Sequence, residues 1–263
     1  MKSIAFLPLA LMVVGCAAEY GENVGESESE LAPGVYAALG DSYSSGLGTR
    51  QYVDEGCKRS VQAFGPQIAA ARGYELKHVA CSGARVHDVR NNQLSALSSA
   101  TTLVTISVGG NDAGFADVIT ACAKPWPTTC WGNIDNSKNF IRNQLPGLLD
   151  SLYADIRARA PKAKVVVVGY PRIFNGEECN LFARISPGEQ AELNNTANLL
   201  SDAIGSVARA HGFTYADPRA IFTGHAVCDD VEWVNGLSNP ISESYHPNRS
   251  GHDNYASLIL SLL

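Results

Sequence analysis

Five short apolar runs, separated by longer segments with helical patterns, constrain the fold of this chain more than any other feature of its sequence. Each run is bounded by glycine, proline, serine or aspartate, as is typical of parallel strands that helices bury on both faces. The runs are Val35–Leu39, Leu76–Ala80, Leu103–Val108, Val165–Val168 and Phe213–Ala216. We therefore predict an α/β fold, a three-layer α/β/α sandwich around a five-stranded parallel sheet.

Helical patterns fill the segments between the runs. Pro146 lies inside one of these patterns and predicts a kink or a split there. Ser186, Pro187 and Glu189 together make a strong helix start, because the serine and glutamate form a capping box around a proline in the first turn. We expect helices at about 60–72, 138–160 and 186–210, and a last helix after Asn248.

The first residues resemble an export signal. Lys2 precedes an apolar stretch, residues 4–14, that is too short to span a bilayer as a mature helix. Cys16 follows in the pattern of a bacterial lipobox, which predicts a signal peptide with its lipobox at residues 1–16 and a lipidated, membrane-anchored Cys16. Ordinary cleavage after Ala18 is the alternative. The protein is accordingly expected to be exported, either extracellular or a cell-surface lipoprotein.

Residues 17–33 form an acidic linker rich in glutamate, glycine and serine, which is typical of a solvated tether. We find no second linker and no internal repeat, so residues 34–263 are predicted to form one domain, and we expect a monomer. The net charge of the chain is −6. Because nucleic-acid-binding proteins carry basic patches, this charge argues against a nucleic-acid partner.

The cysteine count indicates disulfide bonds. Six cysteines follow Cys16, an even number that in an exported protein predicts pairing. Six cysteines allow fifteen pairings, and the sequence alone leaves them open. A metal site would need closely spaced ligands such as CxxC or HExxH, and neither pattern occurs. We therefore predict no metal ion and no cofactor.

The first apolar run leads directly to a candidate nucleophile. In α/β folds of this kind, ligands bind beyond the carboxyl ends of the strands. Ser42 follows the first run in the segment GDSYSSG. A serine at a strand-to-helix turn can present its hydroxyl to a substrate, and the N–H groups at the helix start favour developing negative charge. The alternative is that Asp41 or Ser42 only caps the helix.

The second and third runs lead to candidate hydrogen-bond donors. Gly83 lies in CSGA after the second run, and Asn111 lies in GGND after the third. The backbone N–H of Gly83 and the side-chain amide of Asn111 can each donate to an oxyanion. The alternative is that both residues only form turns.

A candidate base lies near the C-terminus. A serine hydroxyl is a weak nucleophile unless a base accepts its proton, and histidine is the usual base near neutral pH. His246 precedes the last predicted helix in the segment SYHPN and should lie on a loop. The other histidines are predicted to be surface or structural residues: His78, His87, His211, His225 and His252.

The segments GDSYSSG, CSGA, GGND and SYHPN, in this order, resemble the SGNH (GDSL-type) hydrolase family, whose fold is flavodoxin-like. The resemblance covers nearly the whole chain after the leader. It implies that Ser42 is the nucleophile of an ester hydrolase and that His246 is its general base and then its general acid. It also implies an oxyanion hole made of the Ser42 N–H, the Gly83 N–H and the Asn111 side chain.

Cysteines together with SYHPN make the chain most similar to the secreted actinobacterial lipase and phospholipase branch, whose members carry three sequential disulfides. The resemblance implies lipid or acylglycerol esters as substrates. A carbohydrate acetylesterase and a non-catalytic surface protein that binds lipid or glycan are the alternatives. The implied disulfides are Cys57–Cys81, Cys122–Cys130 and Cys179–Cys228.

One position departs from the pattern of the family. Many members have aspartate three residues before the histidine, where this chain has Glu243. In the branch that this chain resembles, a backbone carbonyl orients the histidine, and here the carbonyl of Ser244 is the candidate. We favour a Ser42–His246 dyad, because a carbonyl can hold the imidazole tautomer without a third charged group.

Two segments, 113–140 and 219–241, are predicted to be loop-rich inserts around the site. Their aromatic side chains are candidates for binding an acyl chain. The alternative is that they pack in the core around the disulfides. These side chains are Phe115, Trp126, Trp131, Phe222 and Trp233.

Overall fold

A computed structural model describes residue 1 and residues 34–124, 127–180 and 182–263. The predicted leader with Cys16, the acidic linker and Trp126 therefore lie outside the described residues. Within the described residues, no helix is long and apolar enough to cross a membrane.

The core is a five-stranded parallel sheet in the order β2-β1-β3-β4-β5. Its apolar side chains are buried between two layers of helices, so the predicted three-layer α/β/α sandwich is confirmed. Each strand overlaps one of the five apolar runs, and the differences in their ends amount to a few residues. The strands are β1 (Val35–Gly40), β2 (Glu75–His78), β3 (Thr101–Ser107), β4 (Lys164–Val168) and β5 (Thr214–Ala216).

The helices form the two outer layers. In one layer α2 packs on α8, and in the other α5, α6 and α7 pack together. A π-helical turn at Val89–Gln93 and 3-10 turns at Leu94–Ala96 and Ile241–Glu243 complete the regular structure of the described residues. The α-helices are α1 (Ser42–Ser45), α2 (Phe64–Arg72), α3 (Val86–Asp88), α4 (Phe115–Cys122), α5 (Trp131–Asn143), α6 (Leu145–Arg159), α7 (Pro187–Ala210) and α8 (Arg249–Ser261).

Two helix predictions can be compared with the structure in detail. The pattern at 138–160 is split at Gln144 into α5 and α6, and Pro146 lies in the first turn of α6, where its missing N–H costs no hydrogen bond. The start of α7 is as predicted, because the Ser186 N–H donates to Glu189 Oε2 at 3.0 Å and the Glu189 N–H donates to Ser186 Oγ.

The segment 113–140 is more helical than expected. We predicted a loop-rich insert, but the segment contains α4 and most of α5. The prediction was wrong because the apolar residues of α4 face the interior of the protein, and this packing outweighs the weak helical signal of so short a segment.

The six cysteines form three disulfide bonds in sequential pairing. The Cα–Cα distances are 4.3 Å for Cys57–Cys81, 4.8 Å for Cys122–Cys130 and 5.7 Å for Cys179–Cys228. Glu189 lies close to the sulfurs of Cys122 and Cys130, a grouping that could suggest a metal site. Because those two sulfurs are bonded to each other, they offer no thiolate to a metal ion.

The order of the strands places one crevice at the carboxyl ends of β1 and β3. In the sheet β2 lies on one side of β1, and the chain then crosses back so that β3 pairs with the other side of β1. Ligands in doubly wound sheets bind at such a switch point. Ser42 follows β1 and Asn111 follows β3, so the topology brings both residues to this crevice.

Candidate active site

A tight turn at the end of β1 presents Ser42. Gly40 has a φ of +124°, and a Cβ on it would lie 2.3 Å from the carbonyl oxygen of Ser107 in β3, so only glycine fits there. Asp41 then caps α1, because its Oδ1 accepts the N–H of Tyr43 at 3.0 Å. Ser42 is the first residue of α1 and is buried except for a small exposed fraction that faces the cavity. The cap and the candidate nucleophile are therefore neighbouring residues of the same turn.

The structure brings Ser42 and His246 into direct contact across 204 positions of sequence. Ser42 Oγ lies 2.9 Å from His246 Nε2, and His246 Nδ1 lies 2.8 Å from the carbonyl oxygen of Ser244. A carbonyl oxygen can only accept, so the proton of the neutral imidazole is on Nδ1. Nε2 is then free to accept the proton of the Ser42 hydroxyl, as a general base requires.

The Glu243 side chain makes no hydrogen bond or ion pair with His246. Its carboxylate is buried and accepts a hydrogen bond from the hydroxyl of Tyr52 through Oε1, and Oε2 has no partner among the described residues. Burial and the neighbouring Glu243 carboxylate raise the pKa of Tyr52 to about 12, which keeps the phenol protonated as a donor. Glu243 therefore joins the histidine loop to the loop that contains Tyr52.

The loop before His246 is held in an unusual backbone conformation. Tyr245 has a φ of +62°, which is costly for a residue with a side chain. Its N–H donates to the carbonyl of Asn235 at 2.8 Å, and its carbonyl accepts the hydroxyl of Tyr43 at 2.9 Å. Since Tyr43 follows Ser42, this second contact connects the histidine loop to the nucleophile turn.

Three hydrogen-bond donors are the candidates for an oxyanion hole. The N–H groups of Ser42 and Gly83 contact no acceptor among the described residues. The side-chain amide of Asn111 donates one proton to the Ala84 carbonyl at 3.0 Å, which leaves its second N–H for another acceptor. Asn111 lines the cavity with Ser42 and His246, whereas Gly83 is exposed and lies outside the lining.

A mainly apolar cavity of about 430 Å³ opens beside Ser42 and His246. One wall is a stripe along α4, from Phe115 through Ile119 to Ala123. Eight residues of helix advance about 12 Å. The wall therefore extends for about that distance from Phe115, its residue nearest to Asn111 in the sequence. Ile173, Leu200 and Leu237 also line the cavity.

The four aromatic residues of the predicted inserts that the structure describes do not act as one group. Phe115 lines the cavity, as the acyl-binding interpretation expects. Phe222 is buried in the core and contacts Trp233, whose ring stacks on His225. Trp131 is 45% exposed and is not part of the cavity wall.

Burial changes the pKa of two groups in the site. It lowers the pKa of His246 to about 4, although the hydrogen bond to the Ser244 carbonyl acts in the opposite direction. It raises the pKa of Asp41 to about 7, against hydrogen bonds from Tyr170 and from the Tyr43 N–H that lower it. His246 is therefore neutral near pH 7 and can accept a proton.

Tyr170 was not predicted as a site residue, yet it lines the cavity and its hydroxyl donates to Asp41 Oδ2. It follows β4 in the segment Gly169-Tyr170-Pro171, at the sheet edge where site residues are expected. Its position was the only signal, because a buried tyrosine after a strand is also common in protein cores. The remaining histidines lie outside the cavity lining.

The chain is similar to known lipases over most of its length. Its sequence matches the GDSL-like Lipase/Acylhydrolase family over residues 38–253. Lipase 1 of Streptomyces coelicolor is 40% identical over 255 residues, which cover 95% of this chain and 94% of that protein.

Solved structures agree with this relationship. An extracellular lipase from Streptomyces rimosus has a TM-score of 0.83 at 38% identity, covering 88% of this chain and 100% of that chain. A phospholipase A1 from Streptomyces albidoflavus has a TM-score of 0.82 at 41% identity, covering 88% and 99% of the two chains. The chain therefore belongs to the GDSL-like lipase/acylhydrolase (SGNH) family, in the branch of the Streptomyces lipases, and is a carboxylic ester hydrolase.

Proposed function

We propose that this enzyme hydrolyses lipid or acylglycerol esters through an acyl-Ser42 intermediate, with His246 as its base. The observation that carries the proposal is the line of contacts from Ser42 Oγ to His246 Nε2, and from His246 Nδ1 to the Ser244 carbonyl, beside an apolar cavity. This line contains a nucleophile, a base and a group that fixes the tautomer of the base.

The first half of the reaction transfers the acyl group to the enzyme. Ser42 Oγ attacks the ester carbonyl as His246 Nε2 takes the hydroxyl proton, and the imidazolium is stabilised by the Ser244 carbonyl. The tetrahedral oxyanion accepts hydrogen bonds from the N–H groups of Ser42 and Gly83 and from the Asn111 amide. The C–O bond to the alcohol then breaks, and His246 returns its proton to the leaving oxygen.

The second half releases the acid. A water molecule attacks the acyl carbonyl and gives a proton to His246 Nε2, and the same three donors hold the second oxyanion. The bond to Ser42 Oγ breaks as His246 returns the proton to that oxygen. The enzyme is thereby restored, and the net reaction consumes one ester and one water and yields one acid and one alcohol.

The shape of the cavity supports a substrate with an extended acyl chain. The α4 stripe from Phe115 to Ala123 is about 12 Å long and apolar, far longer than the two carbons of an acetyl group. The relatives described as a lipase and a phospholipase A1 point to the same class of substrate.

A series of nitrophenyl esters of increasing chain length tests this assignment. We expect kcat/KM to rise from acetate to medium-chain esters as the chain covers the α4 stripe. Ala123→Trp, at the far end of the stripe, should lower kcat/KM for long chains roughly 10-fold or more and leave acetate within about twofold, because a bulky side chain blocks only the distal end.

Ala100→Trp is the matched control. Ala100 is exposed at the amino end of β3, on the opposite edge of the sheet from the site, and its replacement should leave the whole series unchanged. Activity confined to the acetate ester in the parent enzyme would instead assign a deacetylase.

A fluorophosphonate probe tests the nucleophile directly. The probe phosphonylates serines that an adjacent base activates, so it should modify the full chain once, with the adduct mapped to Ser42 by mass spectrometry. An adduct on a different serine would contradict the proposed mechanism, and no labelling at all would favour a non-catalytic binding protein.

The proposal includes export, with residues 1–16 as the signal peptide and lipobox and a lipid on Cys16. Support comes from the leader pattern, from the three disulfides and from a relative described as extracellular. Labelled palmitate should enter the native chain in a bacterial host and be absent from Cys16→Ser. Equal labelling of the two chains, or none in either, would reject the lipid anchor and leave ordinary cleavage after Ala18.

A further inference from the structure

We propose that Tyr170 is a positioning residue for the oxyanion hole, because its hydroxyl joins the turn that carries Ser42 to the turn that carries Asn111. This inference rests on the proposed function, since it assumes that those two residues supply oxyanion donors. It adds a residue on a fifth segment of the chain, after β4, to the groups that control the reaction.

The hydroxyl of Tyr170 makes two hydrogen bonds of opposite direction. It donates to Asp41 Oδ2, and it accepts the backbone N–H of Gly110 at 3.2 Å. Asp41 immediately precedes Ser42, and Gly110 immediately precedes Asn111. One oxygen atom therefore sets the distance between the two turns that carry the Ser42 N–H and the Asn111 amide.

The backbone and the ring of Tyr170 are also held by contacts. Its N–H donates to Ser201 Oγ at 3.1 Å, and the Ser201 hydroxyl donates back to the Tyr170 carbonyl at 2.8 Å. Its ring packs edge-on against Tyr43, with the centroids 4.9 Å apart. The phenol thus approaches the site from α7 and β4, which belong to the rigid frame of the fold.

Gly110 is needed for this approach. A Cβ on that residue would lie 3.3 Å from Tyr170 Cζ and 3.4 Å from the hydroxyl oxygen, which is tighter than ordinary contacts. The absence of a side chain lets the backbone N–H reach the phenol. The second glycine of the GGND segment therefore serves the contact with Tyr170.

Asp41 is the acceptor at the other end of the contact. It is almost completely buried, and each of its two oxygens accepts one bond, Oδ1 from the Tyr43 N–H and Oδ2 from Tyr170. These bonds orient the carboxylate that caps α1, and the cap orients the N–H of Ser42. Loss of the Tyr170 bond would free both turns to shift, and a shift of about 1 Å in a catalytic donor can cost roughly 100-fold in rate.

The test is Tyr170→Phe, which removes one oxygen and keeps the ring in the cavity wall. We expect kcat to fall roughly 10- to 100-fold while KM stays within about twofold, because only the transition state carries the oxyanion. The inhibition constant of an alkyl boronic acid, which forms a tetrahedral adduct, should rise by the same factor as kcat/KM falls. An effect on KM alone would overturn the proposal.

A double-mutant cycle separates positioning from general damage. Asn111→Ala removes a donor and should cost roughly 100- to 1000-fold in kcat. In that background Tyr170→Phe should cost clearly less than it does in the parent, because one of the two donors that it positions is already gone. Additive losses would show that Tyr170 acts elsewhere, and would overturn the proposal.

Tyr153→Phe is the matched control. Tyr153 is fully buried in α6, and its hydroxyl has no partner among the residues that the structure describes. The same chemical change there should leave kcat within about twofold of the parent value.

Asp41→Asn tests the same contact from its other end, in case Tyr170→Phe does not fold. It keeps the side-chain volume but leaves one accepting oxygen for two donors, the Tyr43 N–H and the Tyr170 hydroxyl, and kcat should again fall with KM unchanged. A folded Tyr170→Phe or Asp41→Asn with parental kcat overturns this inference alone. Parental turnover by Ser42→Ala would overturn the proposed function as well.

Discussion

Replacing Ser42 with alanine is expected to lower kcat/KM for a nitrophenyl ester by roughly 10⁵- to 10⁶-fold, the scale seen when a serine hydrolase loses its nucleophile. Without Oγ no acyl-enzyme can form, and the neutral His246 has only water left to activate. Residual turnover should come from the oxyanion donors and from substrate binding. Steady-state kinetics on purified chains measures the loss, and a loss below about 100-fold would contradict the role of Ser42.

Ser137→Ala is the control for this substitution. Ser137 is a buried serine of α5 whose Oγ has no partner among the described residues, so its removal changes a core hydroxyl without touching the site. It should keep kcat/KM within about twofold of the parent. Equal losses in the two variants would indicate damage to the fold.

Replacing His246 with alanine should lower kcat/KM by roughly 10⁴- to 10⁶-fold, because Ser42 then has no base within reach. Glu243→Gln should cost less than about threefold, since the carboxylate contacts Tyr52 and the Ser244 carbonyl contacts His246 Nδ1. The contrast between the two variants is the prediction of a Ser–His dyad. A loss in Glu243→Gln as large as that in His246→Ala would refute the dyad.

The pH dependence of kcat/KM is part of the same prediction. His246 acts as a base only when neutral, and burial lowers its pKa to about 4. Activity should therefore be constant through mildly acidic pH and fall as the pH drops through about 4, below the value of a solvent-exposed histidine. A fall centred at about pH 6.5, where an ordinary histidine titrates, would contradict the lowered pKa of His246.

Much of this enzyme is determined by patterns local in the sequence. The five apolar runs predicted the five strands, and the capping residues at Ser186 predicted the start of α7, because such signals depend on neighbouring residues. The positions of Ser42 and Asn111 followed from the topology rule that loops at the carboxyl ends of parallel strands meet at one edge, and His246 was predicted from the segment SYHPN. The prediction of a loop-rich segment 113–140 was wrong, since packing rather than local pattern holds α4.

Other features were decided by the tertiary structure, because they depend on contacts between residues far apart in the chain. Glu243 and the Ser244 carbonyl are neighbours in sequence, and only the position of Tyr52 shows which of them is engaged elsewhere. Phe115 and Phe222 look alike in sequence, yet one lines the cavity and the other is core.

Tyr170 shows this limit most clearly. Its two partners, Asp41 and Gly110, are 129 and 60 positions away in the chain, and no local pattern records such contacts. The sequence by itself therefore determined the strands, the turns and the chemical groups that those turns carry. The tertiary structure alone decided which groups touch, because hydrogen bonds between the turns depend on packing to within a fraction of an ångström.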